Sequence, residues 1–311
     1  TTGDFTSPTI TAITPGNAST SVPVNQDILI TFSEEIMPSN FTYTVSPSLG
    51  TQSVSWNSEH TKVTISHANF ASSTSYTVQV TGAKDTAGNQ LASGSVPNPW
   101  SFTATDVINP YISGTSPSNR STGISTTANI VITFSEAMNQ TSLTYTINPN
   151  PGNWSVSWNS GSTIATFSHS DFGENTDYTF KITSAKDLTG NDLAGGTFVL
   201  DFRTGDFTSP QIVSATPTND TTDVNVDQDI VVTFSEAMNV SSLQYSVTPN
   251  PGGLEASWNS AKTTLTISHS AFSSSTSYTV QVTSIKDEYG NGLASSSVQN
   301  PWSFTAADII D

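Results

Sequence analysis

Thr31-Phe32-Ser33-Glu34 returns as Thr133-Phe134-Ser135-Glu136 and again as Thr233-Phe234-Ser235-Glu236, 102 and then 100 residues further on. Other landmarks hold the same register: Ser55-Trp56-Asn57 with 157–159 and 257–259, Lys84-Asp85 with 186–187 and 286–287, and Gly88-Asn89 with 190–191 and 290–291. A period of this length means that the chain is a tandem array, so fold and function are read from one unit and from its repetition. The boundaries implied are 1–104, 105–204 and 205–311. Units 1 and 3 align without a gap. Unit 2 lacks the Asn98-Pro99-Trp100 segment that recurs as Asn300-Pro301-Trp302, giving an order A-B-A. The tail Asp308-Ile309-Ile310-Asp311 resembles the opening of unit 2, Asp106-Val107-Ile108-Asn109, as if another repeat were to follow.

Within a unit the hydrophobic period is two. Ile28, Ile30 and Phe32 alternate with polar or outward residues, as do Tyr76, Val78 and Val80, which marks half-buried strands. Seven strands are expected in unit 1, near residues 9–13, 26–33, 41–46, 52–57, 61–66, 75–83 and 100–104, separated by turn-forming residues. Units of about 100 residues can each bury a core. The expectation is an all-β chain of three tandem seven-stranded immunoglobulin-like β-sandwiches arranged as an elongated rod. Tyr76, Tyr178 and Tyr278 stand where such a fold places a tyrosine that bonds back to a neighbouring corner. Trp56, Trp158 and Trp258 recur as core positions would, and packing is their expected role.

The leading Asp and Pro, the strand ending Phe-Ser-Glu, the Tyr-Thr-Val strand and Lys-Asp-x-x-Gly-Asn together resemble the bacterial Ig-like repeats of S-layer proteins, adhesins and secreted multidomain enzymes. The resemblance covers nearly the whole chain. It implies spacers, stalks and lattice modules, and attaches no reaction to them.

Charge narrows the partners. Eight Lys and Arg against 25 Asp and Glu leave a net charge of −17, which argues against nucleic acid and anionic membrane surfaces and is compatible with cations. There is no cysteine, hence no disulfide or thiolate metal site. Abundant Ser, Thr, Asn and Gly with only 11% charged residues fits an extracellular surface, and no apolar run is long enough to span a membrane.

Alternating strand directions gather three acids at one pole of each unit: Asp4, Glu34 and Asp85; Asp106, Glu136 and Asp187; Asp206, Glu236 and Asp287. Crowded carboxylates need protons, hydration or a bridging cation, and oxygen-only donors suit Ca²⁺. Asn89, Asn191 and Asn291 are included as candidate ligands. The alternative is that Asp85 and Asn89 only organise a turn around Gly88. Ser66-His67, Ser168-His169 and Ser268-His269 do not form a catalytic pair, because neighbours on a strand point to opposite faces, and no enzyme activity is expected. Candidate glycosylation sequons begin at Asn17, Asn40, Asn119, Asn139, Asn153, Asn219 and Asn239. Trp100 and Trp302, each beside a Pro, are candidate surface contacts for a ligand or for lateral self-association. The expected function is a non-enzymatic extracellular rod, stiffened by Ca²⁺, of a cell-surface fibre, S-layer or adhesin stalk, whose partners are further repeats of itself. Spacer modules of a secreted carbohydrate-active enzyme, or ligand-binding modules, are the other classes.

Overall fold

The computed structural model describes residues 3–309; Ile310 and Asp311 of the tail, and Thr1 and Thr2, lie outside the described residues. The chain is all-β, with only three single-turn 3₁₀ segments among the described residues, and each unit carries two four-stranded sheets around its own core. In unit 1 the strands are β1 (Ile10–Thr14), β2 (Ser19–Val22), β3 (Ile28–Phe32), β4 (Thr42–Ser46), β5 (Gln52–Trp56), β6 (Lys62–His67), β7 (Ser75–Gly82) and β8 (Trp100–Ala104). One sheet has the order β1-β3-β6-β5 and the other β2-β8-β7-β4, and units 2 and 3 repeat both.

Alternation decides which residues face inward. In β3, Ile28, Ile30 and Phe32 are buried, and in β7 Tyr76, Val78 and Val80 are. Each such side chain removed from water contributes about 1.5–3 kcal/mol, so each unit holds its own core without cross-links. The tyrosine corners form as expected. The backbone N–H groups of Ala71, Gly173 and Ser273 donate to the hydroxyls of Tyr76, Tyr178 and Tyr278 at 2.9, 2.8 and 3.0 Å. Trp56, Trp158 and Trp258 lie stacked beside Phe32, Phe134 and Phe234, with ring centroids 6.0, 5.7 and 5.7 Å apart.

Two features differ from the sequence reading. The first is an eighth strand, β2, which pairs parallel to β8 through Ser19 with Phe102 and Val22 with Ala104. Only one of its four residues, Val22, is buried, so it carries no alternating signal and looks like part of a turn. The second is the place of the tryptophans. Trp100 and Trp302 are 2% and 1% exposed, inside the cores rather than on the surface. They occupy the inward register with Phe102 and Phe304, because the preceding Asn continues the sheet. Asn98 accepts from Val80 N–H and donates to Val80 C=O, both at 2.9 Å, so its amide stands in for a strand residue. Asn300 does the same with Val282. Unit 2 pairs Phe198 with Ile182 directly, and Leu200 takes the buried position of the tryptophan.

Candidate metal centre

The Phe-Ser-Glu signature works through its serine. Ser33 N–H donates to Thr9 C=O and Ser33 Oγ accepts from Thr9 N–H, both at 2.9 Å, which fastens the opening segment alongside the end of β3. Ser135 with Tyr111 and Ser235 with Gln211 repeat the pair. With the segment fixed there, the leading Asp lies beside the Glu that follows the serine.

The third acid comes from the turn after β7 and its counterparts. Asp85 N–H donates to Asn89 C=O at 3.1 Å while Asp85 Oδ1 accepts from Asn89 N–H at 2.8 Å, and Gly88 takes the positive φ of +95° that the turn demands. The same turn recurs in unit 2, where Asp187 Oδ1 accepts from the N–H groups of Thr189, Gly190 and Asn191 at 2.8, 2.6 and 2.8 Å and the Thr189 hydroxyl adds a further donor. Asp85, Asp187 and Asp287 are buried at 1–2% exposure, yet each also contributes to an acidic group. Turn chemistry and clustering therefore coexist in one residue.

The nine expected carboxylates converge as three groups: Asp4, Glu34, Asp85; Asp106, Glu136, Asp187; and Asp206, Glu236, Asp287. In each, one oxygen per residue lies within 4.8 Å of the others. Asn89, Asn191 and Asn291 take a different place. Each donates its amide N–H to the buried Asp, at 2.7, 2.7 and 2.8 Å, and to the backbone C=O of the leading Asp, at 3.2, 3.3 and 3.2 Å. The amide nitrogens face the carboxylates, so these residues brace the cluster and tie its two loops together. Their nitrogen-first orientation makes them donors, whereas a cation needs an oxygen.

Electrostatics follow from the crowding. The Glu34, Glu136 and Glu236 carboxyls are pushed above their ordinary value, first by burial and then by the two neighbouring aspartates. Burial also works to raise Asp85 and Asp187, but hydrogen bonds from Asn89 and Asn191 and from their turns outweigh it and hold both below the usual range. Backbone and Ser72 hydroxyl bonds lower Asp106.

Sequence reasoning missed the contacts between units. Ser72 Oγ of unit 1 donates to Asp106 Oδ1 at 2.7 Å and accepts from Val107 N–H at 2.9 Å. Ser274 repeats this on Asp308 and Ile309. At the second junction Glu174 stands at the position of Ser72 and accepts from the Thr208 hydroxyl, while Tyr289 Oη donates to Asn175 Oδ1, both at 2.6 Å. The register Ser72, Glu174, Ser274 is visible in the sequence, but nothing there says that this corner meets the next unit. The corner is itself braced by histidine. His169 and His269 ring nitrogens lie 2.7–3.1 Å from backbone carbonyls and their rings lie against Phe172 and Phe272, an arrangement His67 shares with Phe70. Their partners are main-chain oxygens, and no serine hydroxyl is among those partners.

Of the sequon asparagines, Asn17, Asn119 and Asn219 accept through Oδ1 from backbone N–H groups of the last strand of their units, at 3.1, 3.0 and 2.9 Å. Asn139 and Asn239 cap the 3₁₀ turns that follow them. Asn40 donates to Met37 sulfur and Asn153 to Ser170 Oγ.

Comparison with known proteins matches the sequence profile of the bacterial Ig-like domain three times, at residues 4–104, 106–204 and 206–306. The chain belongs to the bacterial Ig-like domain family. No curated protein matches it. Among solved structures, the I-band fragment I67–I69 of titin is similar over 99% of this chain and 100% of its own, at 10% identity and a TM-score of 0.50, a likeness of fold. Domains 1–6 of the surface layer protein SbsC align over 99% of this chain and 55% of theirs, at 10% identity and a TM-score of 0.23. No helix among the described residues is long and apolar enough to cross a membrane.

Proposed function

We propose that this chain is a non-enzymatic structural protein of the cell exterior, a rod of Ig-like units stiffened at its junctions by Ca²⁺, serving in a surface fibre, S-layer or adhesin stalk. The observation that carries this reading is the threefold recurrence of one carboxylate triad whose oxygens lie within 4.8 Å of one another. Calcium binds oxygen at about 2.3–2.6 Å, so two ligands on opposite sides of one ion stand about 4.8 Å apart, and the triad is therefore of a size to surround it. The donor set agrees, since all three side chains are carboxylates and no sulfur or imidazole takes part. Asp4, Glu34 and Asp85, with their counterparts, would hold the ion, which would relieve the repulsion from the aspartates that adds to burial in raising the glutamates.

Stiffening follows from where the leading Asp sits. Asp106 belongs to unit 2's triad and is hydrogen-bonded to Ser72 of unit 1, so an ion that orders Asp106 also orders the link between units. The test is a thermal melt with small-angle scattering in millimolar Ca²⁺ and in excess EGTA. A higher melting temperature and a longer particle with calcium are expected. Superimposable curves would remove calcium from the proposal and leave rigidity to the direct contacts between units.

A further inference from the structure

One edge of the sandwich carries a different charge in each unit. Ala18, Arg120 and Asp220 donate their N–H groups to the last strand of their units, at the C=O of Ser101, Asp201 and Ser303 and at 2.6, 2.6 and 2.7 Å, so the three places are structurally equivalent. On the adjoining strands the pair Ser75–Thr103 of unit 1 and Ser277–Thr305 of unit 3 becomes Asp177–Arg203 in unit 2. The sequence contains two arginines, and both lie here, lining an open cleft of 480 Å³ with Ser121, Thr122, Asp177 and Asp201. The acids of the cleft already have partners. Asp177 is paired with Arg203 at 3.2 Å, and Asp201 accepts from the Thr179 hydroxyl at 2.7 Å. The exposed Arg120 guanidinium has no ion pair among the described residues, and neither has Lys181, exposed on the outer face of the same sheet.

Unit 3 has the opposite sign at this edge. Asp220, Asp223, Asp227 and Asp229 are all exposed, where unit 2 has Arg120, Gly123, Thr127 and Asn129. None of the four is ion-paired among the described residues. Solvated charges contribute little to folding, so the core that the units share does not account for a charge that changes sign between them.

We propose that the cleft of unit 2 docks the acidic edge of unit 3 of a second copy of this chain, with Arg120 and Lys181 facing Asp220 and Asp223. Charge complementarity selects this occupant, and within one chain no ion pair joins the two patches. Arginine suits such a contact, because its guanidinium is less strongly hydrated than an ammonium and can hold a carboxylate through two parallel N–H groups. The contact joins unlike surfaces, so it propagates from copy to copy unless the rotation between copies closes it into a ring, which is how a fibre or lattice grows. The inference rests on the reading of the chain as an assembling structural protein and gives that assembly its lateral contact; the calcium triads take no part in it.

The experiment is sedimentation velocity of the full chain over a range of concentrations, at low and high ionic strength and in excess EGTA. Concentration-dependent association is expected at low ionic strength, with or without EGTA, and its loss at high ionic strength, where the contact is screened. Arg120→Glu should weaken association about tenfold or more, as should Asp220→Lys combined with Asp223→Lys, and both variants should keep the native melting curve because these side chains are exposed. A mixture of the two variants should recover association, since the intact cleft of one meets the intact acidic edge of the other. A native chain that stays monomeric at low ionic strength overturns the proposal. So does association that Arg120→Glu leaves unchanged, a mixture no tighter than either variant alone, or association that EGTA abolishes, which would assign it to cations bridging acidic surfaces. Native association in a chain whose melting and scattering ignore calcium would remove the calcium reading and leave this contact standing.

Discussion

Asp187 offers the sharpest separation of turn chemistry from cation binding. Its Oδ1 accepts from three backbone N–H groups, and its Oδ2 accepts from the Asn191 amide and the Thr189 hydroxyl at 2.7 and 3.0 Å. The residue is 2% exposed, so water cannot freely replace the carboxylate. Asp187→Ala leaves three backbone donors without an acceptor, and at about 1 kcal/mol each, the low end for an orphaned buried group, unit 2 should lose about 3 kcal/mol. Asp187→Asn keeps one oxygen for the backbone donors and replaces the other by an N–H facing the Asn191 amide, so its cost should be nearer 1–2 kcal/mol. The assay is urea unfolding followed by hydrogen exchange at Thr189, Gly190 and Asn191, which reports the turn directly even where the three units melt at different points. Any calcium-induced gain in stability of unit 2 should vanish in both variants. If Asp187→Ala unfolds within about 0.5 kcal/mol of the native chain, the typical scatter of surface substitutions, the reasoning about this turn is wrong.

The pH dependence has opposite signs for the two kinds of acid. Glu34, Glu136 and Glu236 are raised above 4.5, so without a cation the stability of their protonated form is fully present below 4.5 and is lost as pH rises through the elevated value. Asp85 and Asp187 are lowered below 3.8, so their contribution is present above 3.8 and is lost as pH falls further. Melting curves in EGTA should therefore show stability rising modestly from neutrality toward pH 4.5 and falling below 3.8; a monotonic fall from neutrality would contradict the glutamate crowding. Calcium binding should release protons at pH values where the raised glutamates are still partly protonated, measurable by titration calorimetry in two buffers of different ionisation enthalpy, and Glu136→Gln should reduce that release. Tyr178→Phe removes the acceptor of Gly173 N–H and should cost about 1 kcal/mol in denaturant unfolding; no change would mean that the corner is held by packing alone.

What the sequence made legible is what repeats and alternates. Inward positions of β3 and β7, the three tyrosine corners and the convergence of nine carboxylates all follow from period-two burial and from strand direction. β2 was hidden because it pairs parallel through its backbone and buries only Val22, so no side-chain pattern reports it. Trp100 looked like a surface residue beside Pro99, because nothing local shows that Asn98 prolongs the sheet through Val80 and turns the indole inward. The asparagines were legible as members of the cluster but not in orientation: whether an amide offers oxygen or nitrogen depends on the three-dimensional placement of Asp85 and of the Asp4 carbonyl.

The junctions show why repetition of a unit need not mean repetition of its joints. Unit 1 meets unit 2 through a neutral hydroxyl, Ser72, which neutralises nothing but satisfies Asp106 and Val107 together. Unit 2 meets unit 3 through Glu174, which adds a further negative charge near Glu236 and so contributes to raising it. Tyr289 offsets that repulsion by reaching Asn175, a contact open to it because unit 3 has a tyrosine where unit 1 has Ala87 and unit 2 has Thr189. A junction carrying four acids gains more from a cation than one carrying three, since each added carboxylate raises both the attraction for the ion and the repulsion relieved by it. Glu174→Ser should accordingly make the second joint resemble the first. In scattering profiles recorded in EGTA its particle should be more extended than that of the native chain, and its response to calcium smaller. An unchanged profile would mean that Tyr289 and Thr208 hold the joint regardless of charge.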